Sequence, residues 1–370
     1  MKIFLVGGAV RDQLLDRPVR ERDWVVVGAT PEEMELRGYR EKATGFPVYL
    51  HPDSGEEYAL ARRETKSGLG YKGFTFDYSP AVSIEEDLAR RDLTVNAIAL
   101  ADDGEIIDPF NGCNDLRARS LKHITAAFIE DPLRVLRLAR FLAELGEYNF
   151  NICDTTQSLA LRMCRSGELT TLSPSRIWRE TVRALDSAMP ELFFQQLIAW
   201  DALPQLMPWM QPDTGSDLRT PIAALKCAVE QNSSTDVRLA TLLASIARER
   251  GQQADVPTNW PISAIARSLA ELCENHPLPM ESDAESTLHW LESVDAWRRA
   301  DRFANLLRVW RALRPELSVP IERLRQCRNQ AHKVPKLAAG TDPRSAVRAY
   351  RLQQIALTLA AKDAANAGKR

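Results

Sequence analysis

The chain has 370 residues, of which 45% are hydrophobic and 26% charged, and its formal net charge is −2. This length predicts two or three domains rather than a single core, and the composition is typical of a soluble globular protein. The whole-chain charge gives no sign of a polyanionic partner. The sequence has no apolar run of about 18 residues, so a transmembrane helix is not expected.

The N-terminal stretch MKIFLVGG is too short for a signal peptide and lacks a cleavage site, so we expect it to form the first strand. The 6 cysteines are scattered, without a C-x-x-C spacing or a His/Cys cluster that would indicate zinc. Scattered thiols are typical of a reducing compartment, and the expected location is therefore the cytoplasm.

The first 125 residues mix strand and helix patterns. Apolar and β-branched runs predict strands at residues 2–7, 23–28, 47–51, 57–64 and 105–110. Helices are predicted at residues 9–15 and 30–36, the second with Thr30 as its N-cap and Pro31 at its first position. The glycine-containing segment 66–76 predicts a mobile loop.

After about residue 128 the pattern is helical almost throughout. Helices are predicted at residues 131–146, 155–166, 175–187, 190–200, 218–230, 236–250, 262–275, 301–314, 318–331 and 342–363. The predicted fold class is therefore α+β, with an N-terminal mixed sheet and its helices followed by an all-α remainder.

Two stretches near the N-terminus have residues suited to a phosphate and to a metal ion. In LVGGAVRD, Gly7 and Gly8 let backbone amides approach a phosphate, and Arg11 adds a positive charge. In ERDW, Glu21 and Asp23 point to the same side if they lie on a strand, where two carboxylates can hold one or two Mg²⁺ ions. Taken alone, each stretch is better explained as an ordinary turn or a charged strand edge.

Two further stretches carry polar side chains. In RRDLTVNA, Arg91 suits a triphosphate, Asp92 suits a sugar hydroxyl or the arginine of GGAVRD, and Asn96 suits a local bridge. A salt-bridged helix terminus is the alternative. In DPFNG, Asp108 and Gly112 bracket a sharp bend, for which a hinge and a static turn are equally good interpretations.

Residues 130–141, EDPLRVLRLARF, place three arginines at a spacing of three behind two acids. On a helix, Arg134, Arg137 and Arg140 fall within an arc of about 120°. A solvated cationic face is the usual explanation of such a row. We expect no acidic partners at i+4 along this helix, so the arginines predict an external anion.

Residues 301–351 contain 12 Lys and Arg against 4 Asp and Glu, a local net charge of +8. A set of solvated helix faces and a nucleic-acid-facing surface explain this excess about equally well. We prefer the second interpretation, because a basic patch is the electrostatic footprint of nucleic-acid binding even on an acidic protein.

These stretches occur together and in this order, and the combination resembles the class II tRNA nucleotidyltransferases, the bacterial CCA-adding enzymes. The enterobacterial-type members are the most similar, through GGAVRD, RDWVVVG, RRDLT-NA and EDPLRVLR-ARF. The likeness is dense to residue 145 and thins after about residue 210. It implies a nucleotidyltransferase head at residues 1–128, a helical neck with the nucleotide-template helix at 129–210, and a helical, tRNA-binding body and tail at 211–370.

The resemblance also implies a reaction and its residues. The 3′-hydroxyl of tRNA attacks the α-phosphate of CTP or ATP and pyrophosphate leaves, which adds or repairs the terminal CCA with Mg²⁺ as cofactor. Expected partners are the tRNA acceptor arm and 3′ end, CTP and ATP, without a membrane. The implied residues are Glu21 and Asp23 for metal and catalysis; Gly8, Arg11, Arg91, Asp92, Asp131, Arg134, Arg137 and Arg140 for the nucleotide; Glu130, Asp131 and Arg134 for the base template; and Asp108 and Gly112 for a hinge. Family members commonly have Asp at both metal positions, so Glu21 is a conservative departure that can shift metal geometry or preference.

An Asp–Arg pair offers a way to choose a base without a nucleic-acid template. A carboxylate only accepts hydrogen bonds and a guanidinium only donates them. Cytosine and adenine each place an amino donor beside a ring acceptor, whereas uracil and guanine present a carbonyl where the amino group would meet Asp131. We therefore expect Asp131 and Arg134 to select the base, while Arg91, Arg137 and Arg140 hold phosphates.

The tail departs from the enterobacterial-type pattern, in which a metal phosphohydrolase domain with an adjacent His-Asp pair is often appended. The comparable helix here is RLATLLASIARER at residues 238–250, and the chain has no His-Asp dipeptide. A degenerate tail without phosphohydrolase activity is therefore predicted. Two alternative functions stay open: an A-adding enzyme or poly(A) polymerase of the same superfamily, and a catalytically silent RNA-binding homologue.

Overall fold

The computed structural model describes residues 1–43, 46–66, 74–211, 217–251, 256–279, 283–334 and 342–367. The chain divides into two compact units. The first consists of Met1–Thr181 and Gln196–Leu206, and the second of Val182–Gln195 and Met207–Arg370. This division falls inside the predicted neck, and the three-part division into head, neck and tail stays a prediction.

The first unit contains all the strands of the described residues. They are β1 (Lys2–Val6), β2 (Asp23–Val27), β3 (Arg40–Ala43), β4 (Phe46–Leu50), β5 (Glu57–Leu60), β6 (Arg63–Lys66), β7 (Phe74–Asp77), β8 (Ala99–Ala101), β9 (Ile106–Ile107), β10 (Ser120–Leu121) and β11 (Asn151–Ile152). Seven of them form a mixed sheet in the order β3-β4-β5-β2-β1-β8-β9, in which β2 and β5 are parallel and the other neighbours antiparallel. β6–β7 and β10–β11 form two small separate sheets.

Short helices alternate with the strands along the chain, and longer helices come after them. They are α1 (Gly8–Leu14), α2 (Pro31–Leu36), α3 (Ile84–Ala89), α4 (Gly112–Arg117), α5 (Leu133–Leu145), α6 (Asp154–Arg165), α7 (Pro174–Leu185), α8 (Pro190–Ala199) and α9 (Leu203–Leu206). Two of the short helices are stabilised at their first turn by a capping box. Helix α2 has the Thr30–Glu33 box and α3 has the Ser83–Glu86 box.

The large sheet has an apolar layer on each face. On one face Val25 packs with β1 residues and with Leu88 of α3, and on the other Val26 packs with Met34 of α2. Side chains alternate along a strand, so Asp23 at the start of β2 lies on the same face as Val25. That face is covered by the segment that contains the RRDLTVNA motif.

The described part of the second unit is helical. Its helices after α9 are α10 (Arg219–Glu230), α11 (Thr235–Arg250), α12 (Ala264–Asn275), α13 (Ala284–Ser293), α14 (Ala300–Leu313), α15 (Ser318–Ala331) and α16 (Pro343–Ala367). Helix α11 is buried around most of its circumference, so it is the central helix of this unit. No helix within the described residues is long and apolar enough to cross a membrane.

The structure confirms the α+β fold class, and the clearest local differences concern the predicted strand 57–64 and the predicted loop 66–76. The predicted strand 57–64 is two strands in different sheets, because the chain leaves β5 at Leu60 and re-enters extended structure at Arg63. Of the predicted loop, residues 67–73 lie outside the described residues, whereas Phe74–Asp77 forms β7 and pairs with β6.

Candidate active site

The turn between β1 and α1 depends on Gly7 for two reasons. Its φ is +69°, which disfavours any residue with a Cβ, and a Cβ built there would lie 2.8 Å from Nη1 of Arg91. The neighbouring Gly8 differs, because its Cβ would lie 3.7 Å from Nη2 of Arg11, an ordinary contact. Of the glycine pair, the first is therefore required by the fold, and the Arg91 guanidinium lies directly over it.

The two predicted metal carboxylates lie at the edge of this turn. Glu21 and Asp23 are both exposed, and Asp23 pairs in register with Val6, the last residue of β1. On its other side Asp23 pairs with Glu57 of β5, which forms an ion pair with Lys42. Glu57 is a nearby carboxylate that the sequence interpretation did not include, because strand register is not visible in a single sequence.

Asp92 is the centre of a buried polar network beneath this turn. Its carboxylate accepts hydrogen bonds from Nε of Arg137 at 2.7 Å and Nδ2 of Asn96 at 3.1 Å, and it is 6% exposed. Burial acts to raise the pKa of Asp92, but the positive charge of Arg137 and the hydrogen bonds outweigh it, so the pKa lies well below its usual range. Asp92 is therefore an anion at neutral pH.

The network continues into α1 through Asn96, which sits in the 3₁₀ helix Thr94–Asn96. Oδ1 of Asn96 accepts from Nη1 of Arg11 at 2.9 Å, and Nε of Arg11 donates to Asp12 at 2.9 Å. Asp12 also pairs with Arg17 at 3.3 Å. The predicted local bridge by Asn96 thus connects two of the predicted nucleotide residues, Arg11 and Asp92.

The expectation of unpaired arginines on α5 was wrong. Arg140 is 3% exposed and pairs with Glu180 of α7 at 2.6 Å and with Glu144, which stands at i+4 on its own helix. Arg137 pairs with Asp92 and lies 3.9 Å from Glu180. The sequence interpretation overlooked Glu144 and could not foresee Glu180, so Arg140 has its charge neutralised inside the protein.

The two predicted template residues are each held by a different partner. Asp131 accepts from the Leu133 amide at 3.0 Å and from Nη2 of Arg176 at 3.2 Å. Arg134 donates from Nη1 to the carbonyl of Ala127 at 3.0 Å and from Nη2 to the carbonyl of Arg90 at 2.7 Å. The guanidinium is thus anchored to the backbone at both ends, and Asp131 is anchored to α7.

The remaining motif residues are Asp108, Gly112 and Glu130. Both oxygens of Asp108 accept backbone amides at the start of α4, from Gly112 at 2.7 Å and from Cys113 at 2.8 Å. A Cβ on Gly112 would lie 2.2 Å from the carbonyl oxygen of Thr94, so Gly112 is a close-packing position. Glu130 is the half-buried last residue of the 3₁₀ helix Ala126–Glu130. The hinge role of this motif stays a prediction.

Two residues that the sequence interpretation missed are Arg176 and Glu180, which follow the predicted helix start Ser173-Pro174. They are four residues apart and so lie on one face of α7, where they reach Asp131 and the α5 arginines respectively. An i,i+4 Arg and Glu pair on an amphipathic helix was the available signal, but it is common on helix surfaces and indicates no partner by itself.

The chain is similar to known proteins over most of its length. Residues 3–122 match the family described as Poly A polymerase head domain. The CCA-adding enzyme of Marinobacter nauticus is 41% identical over 366 residues, which cover 96% of this chain and 97% of that protein. The chain belongs to the CCA-adding enzymes. It is therefore a tRNA nucleotidyltransferase of class II, as the motifs predicted, whereas the enterobacterial type and the degenerate tail stay predictions.

Solved structures of CCA-adding enzymes share the fold of the chain. The Bacillus stearothermophilus enzyme in complex with CTP has a TM-score of 0.64 at 22% identity. The match covers 100% of this chain and 95% of the Bacillus chain. The Thermotoga maritima enzyme complexed with tRNA has a TM-score of 0.62 at 20% identity. The match covers 96% of this chain and 87% of the Thermotoga chain. At these identities the likeness concerns the fold, so the roles of individual residues must be argued from the site.

Proposed function

We propose that this CCA-adding enzyme binds the triphosphate of CTP or ATP beside the Gly7 turn and reads its base at the start of α5. The observation that carries the proposal is the continuous chain of contacts from Arg11 through Asn96 and Asp92 to Arg137. This chain supports a site in which the strand–turn–helix and the template helix meet. CTP and tRNA, which bind to the structural relatives, are the expected ligands here.

Arg91, Arg11 and Arg137 are the proposed phosphate contacts. Arg91 is only partly neutralised by Asp87, whose Oδ2 it approaches to 3.2 Å, and its other nitrogen lies over the turn. The side chain of Arg137 is 32% exposed, so it is not sealed from solvent as Arg140 is. Arg140 is the least suitable of the predicted set, because its ion pairs with Glu180 and Glu144 are buried.

Glu21 and Asp23 are the proposed Mg²⁺ ligands. Both are exposed oxygen donors, and within the described residues no group of three or more His, Cys, Asp or Glu side chains is placed to hold a metal. This fits Mg²⁺, which proteins commonly bind through one or two carboxylates with substrate phosphates and water completing the octahedron. Bound there, Mg²⁺ supplies activation of the tRNA 3′-hydroxyl and neutralisation of charge on the phosphate.

The reaction forms one bond and breaks one bond at the α-phosphorus. The 3′-oxygen of tRNA joins the phosphorus, the α–β bridging bond breaks, pyrophosphate leaves, and the hydroxyl proton passes to water. The arginines stabilise the charge on the pyrophosphate and keep the α-phosphate in place, so most of the catalysis is positioning and electrostatics.

Asp131 and Arg134 are the proposed base readers. The anchoring hydrogen bonds leave further donors on Arg134 and further acceptor positions on Asp131. A guanidinium has five N–H groups, and two of those of Arg134 bond the carbonyls of Ala127 and Arg90. Glu130 precedes this pair in the template motif, and Asp108 with Gly112 forms the proposed hinge between C and A addition. Fixed side chains of this kind discriminate by about 1–3 kcal/mol for each well-formed contact.

The second unit is the proposed tRNA-binding part, without phosphohydrolase activity. Its basic segment at residues 301–351 carries exposed arginines such as Arg308, Arg325 and Arg348. RNA duplexes are recognised largely by shape and phosphate contacts, which suits a helical surface of this charge. The finer proposal is a cytoplasmic, enterobacterial-type member with a degenerate tail. The motifs of the first 145 residues support the type, the lack of a His-Asp dipeptide supports the degenerate tail, and cysteines that are all free support the location.

An incorporation assay on tRNA that ends before its CCA tests this proposal. The enzyme with Mg²⁺ is expected to add C from CTP, to add A only after two C residues, and to reject UTP and GTP. Asp131→Ala is expected to admit UTP or GTP while incorporation continues, and Asp301→Ala, an exposed α14 residue, is the control with unchanged base choice. Unaltered selectivity in Asp131→Ala would remove Asp131 from the reading role.

A further inference from the structure

Three guanidinium groups surround the ring of Phe141. The Cζ atoms of Arg11, Arg137 and Arg140 lie 5.5, 5.5 and 4.1 Å from the ring centroid, and Phe141 is 5% exposed. Cations within about 6 Å of an aromatic ring are attracted to the negative charge of its π face. A single buried ring therefore interacts with three cations from two different helices.

The ring and the carboxylates hold different parts of each guanidinium. Arg137 directs its Nε and Nη2 edge at Asp92, and Arg11 directs its Nε edge at Asp12. A planar guanidinium bonded along one edge can still tilt about that edge. Asn96 also accepts from Nη1 of Arg11, and contact with the ring of Phe141 adds a further restriction on the tilt of both guanidinium planes.

Phe141 also joins elements that the carboxylates do not join directly. Asp12 follows Arg11 on α1 itself, so that ion pair cannot fix Arg11 relative to α5. The ring belongs to α5 and contacts the α1 arginine, and it therefore links the helix after the glycine turn to the template helix. This link lies between two residues that the proposed function assigns to phosphate binding.

The need to fill apolar volume in the core does not by itself explain why three guanidinium groups lie at the ring of Phe141. A residue needed only for its apolar volume is best surrounded by other apolar groups, since burying charges costs free energy. Phe303 of the second unit is such a case: it is 4% exposed and packs edge-on against Trp290 at 6.3 Å. Phe141 has the same burial, but its ring faces cations.

We propose that Phe141 is a positioning residue that aligns Arg11 and Arg137 for the nucleotide phosphates through its π face. The inference rests on the proposed function in assigning those two arginines to the nucleotide. It specifies that the ring acts on CTP and ATP equally, because both carry the same triphosphate. Base choice, which belongs to Asp131 and Arg134, does not depend on Phe141.

Graded fluorination of the ring is the decisive experiment, because it reduces the π-face charge while the ring keeps nearly the same shape. Full-length enzyme is prepared with phenylalanine, 4-fluoro-, 3,5-difluoro- and pentafluorophenylalanine at position 141. The KM for CTP and for ATP is expected to rise stepwise and in parallel, reaching roughly 3-fold to 30-fold for the pentafluoro ring. The kcat, the C-to-U selectivity and the thermal midpoint are expected to change little. The inference is overturned if KM is the same for all four rings. It is also overturned if KM rises only in those variants whose thermal midpoint falls.

Substitutions by natural residues separate this inference from the proposed function. Phe141→Tyr is expected to keep the low KM and Phe141→Leu to raise it, whereas Phe303→Leu removes the same volume elsewhere and is expected to lower only the thermal midpoint. Arg137→Gln is expected to raise both KM values. If Arg137→Gln leaves KM unchanged, the proposed phosphate role of Arg137 fails; if it raises KM while fluorination is silent, only the role of Phe141 fails.

Discussion

Two helices, α5 in the first unit and α15 in the second, each carry three arginines and use them differently. On α5, the side chains of Arg140 and Glu180 are 4% and 2% exposed. On α15, the side chains of Arg325 and its partner Glu322 are 56% and 32% exposed. A buried pair has lost most of its hydration and depends on its partner, whereas an exposed pair is screened by water and salt. The pattern of charges in a sequence therefore does not indicate which arginines are free to bind a ligand.

The largest expected effect comes from breaking the buried pair. Glu180→Gln keeps the shape of the side chain but removes the more deeply buried of the two carboxylates that pair with Arg140, so the free energy of unfolding is expected to fall by about 3–5 kcal/mol. Urea unfolding followed by tryptophan fluorescence measures this change. A loss no larger than that of the matched variant on α15, Glu322→Gln, would mean that burial does not separate the two helices.

The next effect distinguishes the two glycines of the turn. Gly7→Ala forces a Cβ into a left-handed backbone and against Arg91, and is expected to cost roughly 2–3 kcal/mol of stability together with most of the activity. Gly8→Ala meets no such clash, so its thermal midpoint is expected to change little. A raised KM for nucleotide in Gly8→Ala would then report close approach of the phosphate to that backbone. Equal thermal midpoints for both variants would contradict the requirement for Gly7.

A pH-dependent effect follows from the Asp92–Arg137 pair. The pKa of Asp92 is lower in the folded protein than the value of about 3.9 in an unfolded chain. Its contribution to stability is therefore complete above about pH 4 and is lost as the pH falls through the folded-state pKa. Asp92→Asn is expected to be less stable at pH 7 and to lose less stability between about pH 4 and pH 2. An unchanged slope of unfolding free energy against pH over that interval would show that Asp92 is not the group responsible.

The smallest expected effect is that of the exposed pair on α15. Glu322→Gln removes the partner of Arg325 and one partner of Arg311, and the free energy of unfolding is expected to change by less than about 1 kcal/mol. Added salt should reduce even this difference, because it screens exposed charges. If the loss is several kcal/mol and independent of salt, α15 belongs to the stabilising core and its arginines are less suited to tRNA.

The sequence by itself determined the fold class, most element positions and the family. The element positions can be predicted because the interactions behind them are local. Strand and helix periodicity, the Thr30 cap and the glycine pair each depend on residues that are close together in the sequence. The motifs also proposed Arg11, Asp92 and Arg137 as nucleotide residues, and the structure connects their side chains through Asn96.

Only the tertiary structure decided which of those charges are neutralised and which side chains face one another. Glu180 and Arg176 act on α5 from 40 and 45 residues away in sequence. The pairing of Asp23 with Glu57 depends on strand register, and the contact of Arg11 with Phe141 depends on how α1 packs against α5. Electrostatic and cation–π interactions act through space, and their strength depends on burial, so the order of residues along the chain does not specify them.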